Sequence, residues 1–206
     1  MAKIAIIAVG ASQGGVHALT ALVSGFPADI PAAILIVQHI GPRPSFLPDI
    51  LSKAGPLPAI HPPNAKPLAR GRIFVAPPDH HMTVLDGVVR ISRGPRENWA
   101  RPAIDPLFRS LAVSHAAQSV GVILTGALND GTAGLYALRK AGGLAVVQRP
   151  DDAECPAMPV SALRHTGADF CVPLAEMAPL LTTIAREIAT GLRPDAMRVS
   201  VGGIDD

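Results

Sequence analysis

Lys3-Ile-Ala-Ile-Ile-Ala-Val9, then Gly10-Ala-Ser-Gln-Gly-Gly15, then the amphipathic stretch from Val16 to Val23: this opening segment decides the fold. The first run is short and continuously apolar, the pattern of a strand buried on both faces of a sheet. The glycine cluster reads as a tight turn, and the stretch beyond it has helical periodicity. The same unit of strand, turn and helix recurs twice. Ala32 to Val37 leads into Gln38-His39-Ile40 and a helix over Ser45 to Ser52, and Val120 to Leu124 leads into Thr125-Gly-Ala-Leu-Asn-Asp-Gly131 and a helix over Thr132 to Lys140. Such alternation predicts an α/β fold, a doubly wound, mainly parallel sheet with helices on both faces.

Other segments fit around this frame. Pro56 to Pro67 is proline-rich and reads as irregular, followed by a strand at Arg72 to Ala76. Between Met82 and Ile91, Asp86-Gly87 separates two apolar-rich runs, which predicts a β-hairpin excursion. A helix over Ile104 to His115, strands at Gly143 to Gln148 and Ala168 to Val172, and a long helix over Leu174 to Gly191 complete the pattern. No repeat or interdomain linker is visible.

With 206 residues, 49% of them hydrophobic, the chain can bury one sizeable core. Aromatic residues make up only 3%, so that core is built from Ala, Val, Ile and Leu. The formal net charge is +2 with the basic residues scattered, which argues against a nucleic-acid partner. Apolar runs such as Ile4 to Val9 are far shorter than the roughly 20 residues of a membrane span, so no membrane insertion is expected. The start lacks a signal-peptide pattern. Together these predict a cytoplasmic protein in which Cys155 and Cys171 are reduced thiols.

In open parallel sheets ligands gather at the carboxyl ends of strands. Ser12 falls in the turn after the first strand, His39 just after the second, and Asp130 in the loop after the strand ending near Leu124. A serine, a histidine and a carboxylate are the minimum set for acyl transfer: nucleophile, base and a group that orients the base. Gly10-Ala-Ser-Gln-Gly14 has the G-x-S-x-G form of a nucleophile elbow between strand and helix. Each residue alone also has a plain structural reading, Ser12 as a helix N-cap, His39 as a surface histidine and Asp130 as a turn residue. The order Ser, His, Asp differs from the Ser, Asp, His of ordinary α/β-hydrolases.

Rival chemistries fare worse. Ser12 occupies the middle position of a G-x-G-x-x-G fingerprint, and Gln38-His39 stands where an acidic ribose ligand belongs, so dinucleotide binding is disfavoured. No P-loop sequence is present. Asp79, His80 and His81 are adjacent, and without a second cluster at zinc-like spacing they do not predict a metal site. No cofactor is expected.

Gly10-Ala-Ser-Gln-Gly-Gly15, Gln38-His39, Phe74-Val-Ala-Pro-Pro-Asp-His-His-Met82, Arg101-Pro-Ala-Ile-Asp-Pro-Leu-Phe108 and Leu124-Thr-Gly-Ala-Leu-Asn-Asp-Gly131 together resemble the successive signatures of the CheB methylesterase catalytic domain. The resemblance implies that residues 1–192 form such a domain, with 193–206 a loose tail. It implies a Ser12, His39, Asp130 triad that hydrolyses glutamate γ-methyl esters on the cytoplasmic helices of chemoreceptors, at receptor arrays, as a chemotaxis signalling enzyme. Many relatives also deamidate receptor glutamine. Two positions that help form the family's oxyanion hole correspond to the Gln13 and Ala127 backbone amides. Gln13 stands where Thr is frequent, and Thr125-Gly-Ala-Leu128 replaces the usual Thr-Gly-Met-Gly.

Lys3 already begins the strand that delivers Ser12, which predicts no receiver domain ahead of it and no switching by phosphorylation within this chain. A stand-alone esterase under a separate regulatory protein and a piece of a longer chain both fit that start. Three function classes follow: a receptor methylesterase, a hydrolase of another ester or amide on the same scaffold, and a catalytically dead receptor-binding module. Arg43, Arg93, Arg96 and Arg101 could meet acidic receptor helices or simply be solvated. Asp130→Asn is expected to keep the fold while losing rate.

Overall fold

A computed structural model describes residues 4–192. The predicted tail at 193–206 lies outside the described residues. Seven parallel strands form the central sheet, in the order β10-β9-β8-β1-β2-β5-β3. They are β1 (Ala5–Ala11), β2 (Ala32–Gln38), β3 (Ala59–Ile60), β5 (Arg72–Val75), β8 (Ser119–Ile123), β9 (Leu144–Gln148) and β10 (Phe170–Val172). A second, antiparallel sheet joins β4 (Lys66–Pro67), β6 (His81–Leu85) and β7 (Val88–Ser92).

Every residue of β1 and β2 is buried. Side chains alternate between the two sides of the sheet, so one strand feeds two cores. Ile7 and Val9 pack with α1 (Gly15–Ser24), α2 (Leu47–Ala54) and α6 (Leu174–Thr190). Ile6 and Ala8 share the other core with α3 (Ile104–Ser114), α4 (Thr132–Lys140), α5 (Ala157–Thr166) and the hairpin. The doubly wound reading is what the structure has. No described helix is long and apolar enough to cross a membrane.

Two local differences have physical causes. The stretch from Pro56 to Pro67 contains two short strands, and Lys66–Pro67 pairs antiparallel with β7, so the excursion is a three-stranded sheet rather than a hairpin alone. Pro can sit there because β4 is an edge strand. The helix α5 escapes periodicity analysis because Pro156 and Pro159 look like breakers. They occupy its N-cap and first turn, where backbone N–H groups have no intrahelical acceptor to lose.

Chain order changes direction between β1 and β8, since β2 lies on one side of β1 and β8 on the other. Loops leaving the two strands therefore diverge and open a crevice at their carboxyl ends. Facing that crevice, α3 packs closely on α4. A Cβ at Gly134 would stand 2.8 Å from the Asp105 carbonyl oxygen and 2.8 Å from Phe108 Cβ. Backbone atoms cannot yield as a side-chain end can. Gly134→Ala is therefore expected to destabilise the fold by roughly 1–3 kcal/mol, seen as a lower urea midpoint at unchanged m-value.

Candidate active site

The turn after β1 carries Ser12, and its amide donates to the Thr125 carbonyl (3.0 Å), tying the end of β1 to the loop after β8. Gly14 takes a left-handed φ of 75° as the N-cap of α1, and no side chain caps that helix. Ser12 is thus not spent on capping. Its hydroxyl lies 3.1 Å from His39 Nδ1. The His39 ring leaves the end of β2, held in register because Ala11 pairs with Gln38. On its other side His39 Nε2 lies 2.7 Å from Asp130 Oδ2. The structure brings the three predicted residues into one hydrogen-bonded line.

Protonation along that line follows from the carboxylate. An ionised Asp130 can only accept, so Nε2 carries the proton and Nδ1 presents its lone pair to the serine hydroxyl. This reverses the common serine-protease arrangement, in which Nε2 faces serine. Asp130 is 2% exposed. Its Oδ2 also accepts from the Ile104 amide (2.7 Å), while Oδ1 accepts from the amides of Asp105 (3.2 Å) and Gly131 (2.9 Å) and from Asn98 Nδ2 (2.6 Å). Burial pushes its pKa up, but the bonds from His39, Ile104 and Asn98 outweigh it and hold the carboxyl below its usual value.

Three participants escaped the sequence reading. Asn98 sits at an exposed two-residue turn between Glu97 and Ala100, where Asn98 (φ 48°) and Trp99 (φ 62°) are both left-handed. Asn suits such a turn, but the following Trp hides the Asn-Gly signature. Asp105, inside the Ile104-Asp-Pro helix start, accepts from Asn98 Nδ2 (2.8 Å) and from the Gly134 amide (2.6 Å). Burial raises its pKa, with the Gly134 bond opposing and the nearby Asp130 charge adding to the rise. Gln38, 5% exposed, donates from Nε2 to the carbonyls of Ser12 (2.8 Å) and His39 (3.1 Å). Among the described residues its buried Oε1 finds no partner, at a typical cost of about 1–3 kcal/mol.

Other candidates fall as follows. Among the described residues the Gln13 and Ala127 amides donate to no acceptor, and they belong to the two loops joined by the Ser12–Thr125 bond. Asp79, His80 and His81 do not converge. Asp79 accepts from Arg101 Nε (2.9 Å) and Nη2 (2.6 Å) and pairs with Arg93 (2.7 Å), His80 bonds the Pro78 carbonyl and His81 the Pro95 carbonyl. No group of three or more His, Cys, Asp or Glu residues able to hold a metal occurs among the described residues. Arg101 and Arg93 thus brace a loop. Arg101 also donates to the Gly94 carbonyl (2.6 Å), so it is not a free partner-facing cation.

The CheB methylesterase family model matches residues 7–181. The chain belongs to the CheB methylesterase family. Its backbone superimposes on the Thermotoga maritima CheB methylesterase catalytic domain with a TM-score of 0.83 at 26% identity, covering 88% of this chain and 99% of that one. It is 34% identical over 192 residues to a Methanosarcina mazei protein-glutamate methylesterase/protein-glutamine glutaminase, covering 88% of this chain. The chain spans about half of that relative (52%). A Leptospira interrogans relative is 37% identical over 178 residues, which cover 84% of this chain and 91% of that protein. The CheB fold thus accounts for the parallel sheet and for the crevice that gathers Ser12, His39 and Asp130.

The hydrogen-bond pattern alters what Asp130→Asn should do. Both carboxylate oxygens face N–H donors, so either orientation of an Asn amide points its NH₂ at another donor. We expect this variant to lose stability, by roughly 1–3 kcal/mol at neutral pH, as well as rate. Since the folded-state pKa of Asp130 lies below its unfolded value of about 3.9, its stabilisation is complete above about pH 4 and is lost as pH falls through the lower value. Urea midpoints of wild type and Asp130→Asn should therefore converge on acidification. A gap independent of pH would mean that Asp130 is not held as a carboxylate.

Proposed function

We propose that this chain is a serine esterase that demethylates glutamate γ-methyl esters on the cytoplasmic helices of chemoreceptors, with Ser12 as nucleophile, His39 as general base and Asp130 as its orienting carboxylate. The observation that carries the reading is the unbroken Ser12 Oγ, His39 ring and Asp130 line, at 3.1 and 2.7 Å, in the crevice of a CheB-family fold. Residues 1–192 act as the catalytic domain. The setting is the cytoplasm, at receptor arrays, with chemoreceptors as partners.

The chemistry runs by acyl transfer. His39 Nδ1 takes the Ser12 proton as Oγ attacks the ester carbonyl. Negative charge develops on the carbonyl oxygen and is met by the Gln13 and Ala127 amides. Methanol leaves with the proton from His39. A water molecule, deprotonated by the same nitrogen, then attacks the acyl-serine, and glutamate is released as His39 returns that proton to Ser12 Oγ. Asp130 stays ionised throughout and stabilises the imidazolium. The glutaminase reaction named for the Methanosarcina relative would use the same steps on a glutamine amide, with ammonia as leaving group.

One observation favours a second reading, hydrolysis of a different ester. Leu128, where the family has Gly, is 70% exposed with a left-handed φ of 64° beside Ala127, so an apolar side chain stands at the rim of the site. Methanol release from methylated chemoreceptor fragments, assayed beside a small neutral ester, separates the two. Ser12→Ala and His39→Ala should each lower turnover roughly 10⁴-fold or more while remaining folded. Near-normal turnover by folded Ser12→Ala would remove the nucleophile assignment, and turnover of small esters alone would favour the second reading.

A further inference from the structure

We propose that Gln38 is a positioning residue that aims the Gln13 N–H at the developing oxyanion, acting through the carbonyl of the Ser12–Gln13 peptide; the inference rests on the esterase reading above. In a trans peptide the C=O and the N–H of one unit point in opposite directions. Holding the Ser12 oxygen therefore decides where the Gln13 hydrogen points. Two donors hold that oxygen, the Gly15 amide at 2.9 Å from within the turn and Gln38 Nε2 at 2.8 Å from the end of the neighbouring strand. One bond leaves the peptide plane free to swing. A second, arriving from another element, restrains it, and donors into the carbonyl also polarise the N–H of the same unit.

The second loop repeats the device. The Gly126 carbonyl accepts from the Met158 amide at 2.9 Å, and the N–H of that same peptide unit is the Ala127 amide. Met158 lies in the first turn of α5, whose amides have no intrahelical acceptor. Backbone suffices there because a helix start faces the loop. Behind the Ser12 turn the corresponding neighbour is the end of β2, and a side chain has to supply the donor.

Gln38 is fitted to that one task. Its Nε2 bonds both the Ser12 and the His39 carbonyls, so nucleophile and base hang from the same amide. This orientation leaves Oε1 buried and, among the described residues, unpartnered. It lies where a Cβ on Gly15 would fall, at 2.0 Å, so glycine is the residue that leaves room for it. A buried acceptor left unmatched calls for a reason, and the donor geometry on the other end of the amide provides one. The alternative is a strut that merely ties β1 to β2.

Two variants and one inhibitor class separate these roles. Gln38→Met keeps the length and removes the donor; Gly15→Ala keeps the amide but displaces it. The readouts are kcat and KM on a small neutral ester, Ki for a boronic acid or trifluoromethyl ketone that forms a tetrahedral adduct on Ser12, and the unfolding midpoint. Both variants should lose roughly 10- to 100-fold in kcat, somewhat less than deletion of an oxyanion donor. Ki should rise by a similar factor while KM and the ascending limb of the pH profile stay near wild type. A strut would lower the midpoint and leave kcat per folded molecule and Ki unchanged, which overturns the proposal; should Gln38→Met fail to fold, Gly15→Ala decides alone. Wild type that neither turns over the ester nor takes the inhibitor would instead overturn the esterase reading, whereas wild-type activity abolished by Ser12→Ala beside an unaffected Gln38→Met would overturn this inference only.

Discussion

A buried carboxylate with five donors is the constraint around which the rest of the site is arranged. Asp130 collects hydrogen bonds from His39, Asn98 and the amides of Ile104, Asp105 and Gly131. An isolated charge at 2% exposure would lose its hydration without replacement and would be neutralised. Here the first amides of α3 take the place of water. They are free because a helix start leaves them without partners, and its dipole favours a negative charge there. The position of α3 therefore bears on the geometry of the Ser12, His39, Asp130 line even though none of its side chains belongs to it.

That position depends in turn on packing. Ile104, Leu107, Phe108 and Leu111 are fully buried against the sheet. A Cβ placed at Gly10 in β1 would stand 2.5 Å from Ile104, so the glycine that precedes Ser12 by two residues also lets α3 approach the strand. One short motif thus serves Ser12 and Asp130 at once. Gly134 does the same from the side of α4, allowing its own amide to reach Asp105.

Much of this was legible from sequence, and the limit has a physical form. Strands buried on both faces announce themselves through runs such as Ile4 to Val9, and their carboxyl ends locate Ser12 and His39 without any knowledge of side-chain geometry. Asp130 could be named as a candidate for the same reason. Asn98 could not, because its role is created by a turn whose second residue, Trp99, is an unusual occupant of left-handed space. Asp105 was masked by lying in what reads as an ordinary helix start. The helix α5 was masked by prolines that are harmless only because they fall in its cap and first turn. Periodicity reports which face of an element is buried. It does not report which backbone amides are left free, and the site is built largely from those.

The contrast between the two loops carries this one step further. Gly126 is oriented by an amide of α5, an element whose position the core determines through fully buried Met158 and Ala162. The Ser12 turn relies on a side chain instead, and that side chain comes from the same strand that delivers His39. Any relative movement of β1 and β2 would disturb Ser12, His39 and the Gln13 amide together rather than one at a time. Their parallel pairing runs without interruption from Ala5↔Ala32 to Ala11↔Gln38, and both strands are buried along their whole length. Such a pair has little freedom to slip, because a shift of one residue would turn each side chain toward the opposite core. The rigidity on which the proposed acyl transfer depends is therefore supplied by the register of two apolar strands, and the polar groups at their ends inherit it.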